Sequence, residues 1–198
     1  MPSGAPQFAA VLDPEAVLMM RAAAGDDECL SQLVRIYKPS IVHYMHRMVR
    51  DRAAAEDLAQ EVFVRTYRAR QSYQPSARFR TWLFHIAMNV ALNWIRDERH
   101  ERGHLRLDQP LEDNRPFILR DANPSAESVL VKESVALEVR RAVEALPDNQ
   151  RSAVLLHKYE CLEYTQIADV MGCSVSAVKS LLFRAYRTLR IHLAHLEN

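Results

Sequence analysis

Residues 164–190 read YTQIADVMGCSVSAVKSLLFRAYRTLR, Tyr164 to Arg190, and the spacing of Ala168, Gly172 and Val178 within them is that of a helix-turn-helix. A small Ala lets two helices cross closely, Gly permits the positive φ at which the first helix stops, and an apolar Val pins the second helix back. Ser174 is placed to cap that second helix. Val178, Leu182, Ala185 and Leu189 fall on one stripe of it, which turns Ser176, Lys179, Ser180, Phe183, Arg184 and Arg187 to the other side. Such a set suits a major groove, where Ser and Arg can meet base edges, Lys and Arg phosphates, and Phe a thymine methyl group. The same pattern also fits a helical hairpin whose basic face is simply solvated.

The rest of the chain agrees with a helical reading. Its 198 residues are 48% hydrophobic, with 26 Lys+Arg against 25 Asp+Glu, nine Pro and only four Gly. That balance excludes disorder throughout and collagen-like repetition, and so few glycines argue against a turn-rich β-sandwich. At ~150 residues per domain the length allows one or two units. Asp13-Pro14 is a helix start, followed by Ala16, Val17, Met20 and Ala24 at helical spacing until Gly25. Asp26 or Asp27 can cap a second helix, with Pro39 as an expected kink, and Asp51 a third, from Ala53 to about Arg70. Pro75 and its polar neighbours predict a loop over 71–78. From Phe79 the apolar positions Trp82, Leu83, Ile86, Ala87, Val90, Ala91, Trp94 and Ile95 again have a helical period, with the two Trp on the core side.

Gly103, Pro110, Pro116 and Pro124 interrupt a segment with no sustained period, which reads as a linker. Ser125 can cap a further helix that breaks at Pro147, and Asp148 restarts the chain. The expected fold is therefore all-α: a tail over 1–13, a helical bundle over 14–102, a flexible linker over 103–124, and a smaller bundle over 125–198 that contains the helix-turn-helix. The second bundle is near the lower size limit for an independent core and should be the less stable one.

A net charge of +1 hides an uneven distribution. The segment from Val62 to Arg106 is strongly basic, the sign reverses from Leu107 to Glu138, and the chain is basic again beyond Ser174. Two basic blocks suit two contacts with a polyanion, although solvated helix faces account for them equally well. Cys29, Cys161 and Cys173 are too few and too irregular for a disulfide framework, no CxxC or HExxH accompanies them, and buried free thiols are expected. No apolar run reaches the ~18 residues of a membrane span, so a reducing cytoplasm is expected, without membrane insertion.

A second constellation precedes the linker. In EDLAQEVFVRTY, Glu56 to Tyr67, the residues Asp57, Gln60 and Glu61 lie at i, i+3 and i+4 and share a face that can pair with a basic partner protein. An acidic helix face is also commonly just solvated. The following FRTWLFHIAMNVALNWIRDERH, Phe79 to His100, carries Asn89, Asn93 and Arg96, with Arg78 and Arg80 at its start. Asn amides can read adenine edges, while aromatic rings and Arg can stack on bases held out of a duplex. Tyr73, Gln74, Arg78 and Phe79 are hard to explain as core from the sequence.

In this order the two constellations resemble those of bacterial sigma factors of the extracytoplasmic-function class of the sigma-70 family, and the resemblance spans most of the chain. It implies that Asp57, Gln60 and Glu61 face the β′ clamp helices of core RNA polymerase. It implies that Tyr73, Gln74, Arg78, Phe79, Arg80, Asn89, Asn93 and Arg96 capture the non-template strand of the minus 10 element. The helix from Ser174 to Arg190 would read the minus 35 element through Ser174, Ser176, Lys179, Ser180, Phe183, Arg184 and Arg187, with Arg151 and Lys158 near phosphates. Further implied partners are the β flap of the polymerase and an anti-sigma factor. No catalytic group, metal or cofactor is called for. Family members often have Thr, Arg and Arg where this chain has Ala177, Leu181 and Tyr186, which removes possible minus 35 contacts.

Two other classes remain on the residues alone. A stand-alone helix-turn-helix regulator shares the C-terminal motif but leaves the Phe79 to Arg96 segment unexplained. A recombinase or nuclease would need a carboxylate cluster for two metals or a supported nucleophile, and neither pattern is present. His43 and His46 are better read as surface or packing groups than as ligands.

Overall fold

The computed structural model describes residues 13–75, 78–104 and 126–197, and their regular structure is helical. The elements are α1 (Pro14–Ala23), α2 (Asp27–Val49), α3 (Arg52–Ala69), a 3-10 turn (Arg70–Ser72), α4 (Phe79–His104), α5 (Ala126–Glu144), α6 (Asp148–Lys158), α7 (Tyr164–Met171), α8 (Val175–Leu193) and a closing 3-10 turn (Ala194–Glu197).

Local chemistry sets most of these limits. Asp13 caps α1 by accepting the Ala16 N–H, with Pro14 in the first turn. Asp51 Oδ1 accepts the Ala54 N–H at 2.9 Å and starts α3, and Ser174 Oγ accepts the Ala177 N–H at 3.1 Å and starts α8. Glu163 and Gln166 form a capping box on α7. Asp26 does not cap α2 with its side chain; its carboxylate instead takes the Arg21 guanidinium at 2.6 Å and the Cys29 thiol at 3.2 Å.

One helix limit differs from the sequence reading, and Pro39 lies inside a helix as expected. α2 continues through Pro39, an exposed position where the carbonyl deprived of its N–H partner can turn to water. α4 extends through Gly103 to His104, so the first two residues expected in the linker are helical. The expected tail over 1–12, the rest of the linker and the Ser125 cap lie outside the described residues.

The first bundle packs Leu33, Tyr37, Ile41, Tyr44, Met45 and Met48 of α2 against Ala55, Ala59 and Val62 of α3 and Leu83, Phe84, Ala87 and Ala91 of α4. The second packs Leu146, the apolar run Ala153 to Leu156, Ile167, Ala168 and Val170 against Val178, Leu182 and Ala185 of α8. The sequence predicts two separate cores, but these residues make one continuous cluster, because α7 lies on α4 and α6 lies on α2. Of the three cysteines only Cys29 is buried; Cys161 is exposed at a positive φ of 50°, and Cys173 is half-buried. No single described helix is long and apolar enough to cross a membrane.

Candidate nucleic-acid interface

The helix-turn-helix is built as its spacing predicts. α7 stops at Gly172, whose φ of 61° is left-handed, and the Gly172 N–H returns to the carbonyls of Ala168 and Asp169. α8 then buries Val178, Leu182 and Ala185 and half-buries Leu189. Ser174, Ser176, Lys179, Ser180, Phe183, Arg184 and Arg187 are all exposed. Phe183 is 68% exposed, a large apolar ring on a polar, basic face that the described residues leave uncovered. Lys158 is exposed beside this face, its Nζ 5.9 Å from the Tyr186 ring centre. Ala177, Leu181 and Tyr186 are half-buried, and Leu181 and Tyr186 pack against the core. Their apolar identity therefore serves the fold.

Arg151 does not belong with this set. It is 2% exposed and holds the corner between α5 and α6, donating to the Glu144 carbonyl and to Asp148 Oδ1, both at 2.9 Å. Burial, with Arg50 and Arg99 nearby, pulls its pKa below the ordinary arginine value. A phosphate cannot reach a guanidinium so enclosed.

On α3, Asp57 and Gln60 are exposed, and Glu61 is half-buried, accepting the Arg65 Nε–H at 2.7 Å. Val64 and Tyr67, 41% and 43% exposed, extend the same side of the helix by i+4 and i+7 from Gln60. The acidic and amide groups thus border an apolar strip that helical spacing from Gln60 could have revealed.

The loop before α4 departs most from expectation. Phe79 is 1% and Tyr73 8% exposed, so both aromatics are core rather than platforms for a base. The Phe79 ring lies 5.5 Å from Tyr37, 6.1 Å from Tyr73 and 5.9 Å from Trp82. Burial lifts the Tyr73 hydroxyl pKa to about 12. Trp82 and Trp94 are half-buried against the same core, as their place on the apolar stripe predicts. Gln74 and Arg78 are exposed. Asn89, Asn93 and Arg96 are exposed at i, i+4 and i+7 on α4, and Asn93 Oδ1 accepts an Arg96 N–H at 3.2 Å. These residues form one polar ridge suited to an unpaired strand.

Three groups on α4 are engaged by the C-terminal region. Arg80 Nη2 lies 2.7 Å from Glu160 Oε2, whose side chain is only 6% exposed. Burial raises the Glu160 pKa, and the facing Arg80 opposes that rise. His85 Nδ1 lies 2.8 Å from the Val170 carbonyl, so that nitrogen carries the proton. Its Nε2 then accepts the Asn89 amide N–H at 3.0 Å. Tyr44 and Ser152 share a fully buried hydrogen bond at 2.8 Å, and Arg99 Nη1 lies 2.8 Å from Asp148 Oδ2. None of the pairs that join α4 or α2 to the C-terminal region is visible in the sequence, because their partners stand between 49 and 108 residues apart and match no short spacing.

Residues 33–101 match the model of Sigma-70 region 2, and residues 136–189 that of Sigma-70, region 4. The RNA polymerase sigma-H factor of Pseudomonas aeruginosa is 32% identical over 170 residues, covering 85% of this chain and 88% of that protein. The ECF RNA polymerase sigma factor SigE of Mycolicibacterium smegmatis is 31% identical over 196 residues, covering 98% of this chain and 70% of the relative. The ECF RNA polymerase sigma-E factor of Escherichia coli strain K12 is 31% identical over 172 residues, covering 85% and 88%. In fold, the chain is similar to the sigma factor RpoE from Bartonella quintana, solved with the anti-sigma factor NepR, at a TM-score of 0.67, 20% identity and coverage of 83% and 96%. It is likewise similar to CnrH, solved with the cytosolic domain of CnrY, at a TM-score of 0.64, 22% identity and coverage of 90% and 96%.

Proposed function

The chain belongs to the sigma-70 family, in its extracytoplasmic-function class, and from that premise we propose the division of labour by which it directs core RNA polymerase to promoters. A first module over residues 14–102 docks α3 on the β′ clamp helices through Asp57, Gln60 and Glu61, with Val64 and Tyr67 as the apolar part of that contact. The same module uses Gln74, Arg78, Arg80, Asn89, Asn93 and Arg96 to hold the non-template strand of the minus 10 element. A second module over residues 125–198 rests on the β flap and reads minus 35 duplex through Ser176, Lys179, Ser180, Phe183, Arg184 and Arg187. Ser174 and Lys158 lie at its phosphate edge. The segment between the modules follows the polymerase channels.

The observation that supports this reading most is the α8 face. Seven polar, basic or aromatic residues expected there are exposed together, behind a left-handed glycine stop and a serine cap. A merely solvated face has no use for a Phe at 68% exposure, whereas a thymine methyl does.

Opening the duplex then draws on binding. Unpairing and unstacking a base costs a few kcal/mol, and a pocket with stacking partners returns an amount of that order. The chain needs no catalytic group or cofactor for this step, and it works where the polymerase works, in the cytoplasm. An anti-sigma factor is the proposed regulator, covering the apolar strip of α3 and the basic faces; its capture with the chain under non-inducing conditions is the expected outcome.

Run-off transcription with core polymerase across a promoter library tests the whole reading. Wild type should give discrete transcripts from a subset of promoters. Asp57→Ala and Gln60→Ala should weaken retention on core polymerase, and Arg184→Ala should lower promoter use at unchanged retention. Normal retention of both α3 variants would refute the docking assignment.

A further inference from the structure

α4 carries the polar ridge assigned to the unpaired strand, yet its own first residues give it no cap. The Trp82 N–H returns to the Arg78 carbonyl at 3.2 Å, so Arg78 holds the N-cap position. An arginine side chain offers donors and no acceptor, so it cannot satisfy a free N–H, and its charge opposes the positive end of the helix. The first turn contains no acidic residue either. The acceptor comes from Asp13, in front of α1 and 66 residues upstream, whose Oδ2 takes the Phe79 N–H at 3.1 Å while Oδ1 takes the Ala16 N–H.

We propose that Asp13 is a positioning residue for strand capture: it lends α4 the cap that Arg78 cannot supply, and so fixes Arg78 and Arg80 against the minus 10 strand without touching DNA itself. The inference rests on the sigma reading and adds to it a residue from outside the elements that face the strand.

The strand-facing residues stand on α1 from both sides. The 3-10 turn Arg70–Ser72 packs on α1, and Tyr73 after it is buried, its ring 5.0 Å from Trp82 and 6.1 Å from Phe79. Gln74 and Arg78 are exposed between these supports. One support is apolar packing and the other is a single hydrogen bond to an anion. Apolar contacts tolerate small rotations, whereas a charge-assisted bond to a backbone N–H fixes both distance and direction. This division resolves a conflict in the sequence. A strand phosphate calls for cations at positions 78 and 80, while a helix start calls for an acceptor and a negative charge. Asp13 meets the second demand from a distance and leaves position 78 to the first. The two cations are then in place before the strand arrives, which lowers the ordering cost of binding it.

The test uses holoenzyme made from core polymerase and the full-length chain, on a promoter recovered from the run-off library. Asp13→Ser keeps a hydroxyl that can cap α1 but has no second oxygen for the Phe79 N–H. Asp13→Asn has the size of the native residue, and its amide likewise presents only one oxygen to the two N–H groups. Asp51→Ser makes the same change at the start of α3, where the carboxylate caps one helix only, and controls for the lost charge. Retention on core polymerase, binding of the promoter fragment in the cold with its strands still paired, and permanganate reactivity of minus 10 thymines on warming are compared well below the unfolding transition. Trp82 emission in a Trp94→Phe background follows the support itself, since the Trp82 ring lies 5.0 Å from Tyr73 and 5.9 Å from Phe79.

Asp13→Ser should lower the extent of opening roughly three- to ten-fold, the effect of one lost hydrogen bond, with retention and cold duplex binding at wild-type levels. Its Trp82 emission should move to longer wavelength. Asp51→Ser should match wild type throughout. Removing a negative charge by itself strengthens DNA binding, so the expected change has the opposite sign to the electrostatic one. Asp13→Asn should follow Asp13→Ser, and it decides the matter if Asp13→Ser loses its helical circular dichroism. Unchanged opening in the Asp13 variants, or opening and duplex binding that fall by the same factor, overturns the assignment. Opening of the same promoter by wild-type holoenzyme shows that such a failure belongs to Asp13 and not to the sigma reading.

Discussion

The Asp13 carboxylate serves two helix starts at once. One oxygen accepts the Ala16 N–H at the head of α1, and the other accepts the Phe79 N–H at the head of α4, 3.1 Å away and 66 residues along the chain. Both helix ends carry partial positive charge and unsatisfied donors, so one anion stabilises two sites. Asp13→Ala should lower unfolding free energy by about 2 kcal/mol, near the upper limit for a single cap, whereas Asp13→Ser, with one oxygen, should lose about half as much. Urea unfolding followed by circular dichroism measures both, and an Asp13→Ser chain as stable as wild type would mean that the α4 contact contributes nothing. Half of this arrangement is legible in the sequence, since Asp-Pro before a helical period is a local start signal. The other half is not, because only the folded bundle brings Phe79 to Asp13. Phe79 and Tyr73 are misread as exposed loop aromatics for the same reason: the loop is drawn onto Tyr37 and Trp82 by contacts that no short window contains. Arg151 fails in the opposite way, a cation near a basic helix in sequence but enclosed at 2% exposure in the fold.

At the scale of the element, local signals carry nearly everything. The α7–α8 pair is written in a small residue, a left-handed stop, a cap and an apolar stripe, each within a few residues of the next, and all four take the expected positions. Asp51 and Ser174 act as caps where the periodicity places them, within one residue of the expected starts. Gly172 isolates the backbone part of this code. A Cβ built there would meet nothing within 4 Å, so substitution brings no clash, and the whole penalty comes from a φ of 61°. Gly172→Ala should therefore destabilise the chain by about 1 kcal/mol, and Gly172→Asn by less, since Asn enters the left-handed region more readily. Thermal unfolding ranks the three proteins, and promoter use by Gly172→Ala at temperatures well below its transition should match wild type. A loss of promoter use without a loss of stability would show that the turn itself touches DNA. The one helix limit set by a breaker that was misjudged is at Gly103, which is tolerated near the end of the long helix α4.

For the whole molecule, the division into two bundles was legible but their union was not. Charge alternation and the proline-rich segment announce separate units, while the pairs that join them are scattered over four helices and the turn that carries Glu160. Ser152, Tyr44 and Glu160 look unremarkable in sequence, and their value lies in partners in the other bundle. The joining has an energetic consequence. The C-terminal helices span about 70 residues, a size at which a lone core is marginal, and here they share one apolar cluster with the N-terminal helices. A buried Tyr–Ser bond and an ion pair with a buried carboxylate cannot persist if only one side unfolds, since each would leave a polar or charged group without its partner. Calorimetry of the wild-type chain should accordingly give one transition whose calorimetric and van't Hoff enthalpies agree. In Glu160→Arg the shared contact is lost, and two transitions should separate, the C-terminal one at the lower temperature, as expected for the smaller bundle on its own. Two transitions already present in wild type would mean that the bundles fold independently, with the contact between them too weak to couple their unfolding.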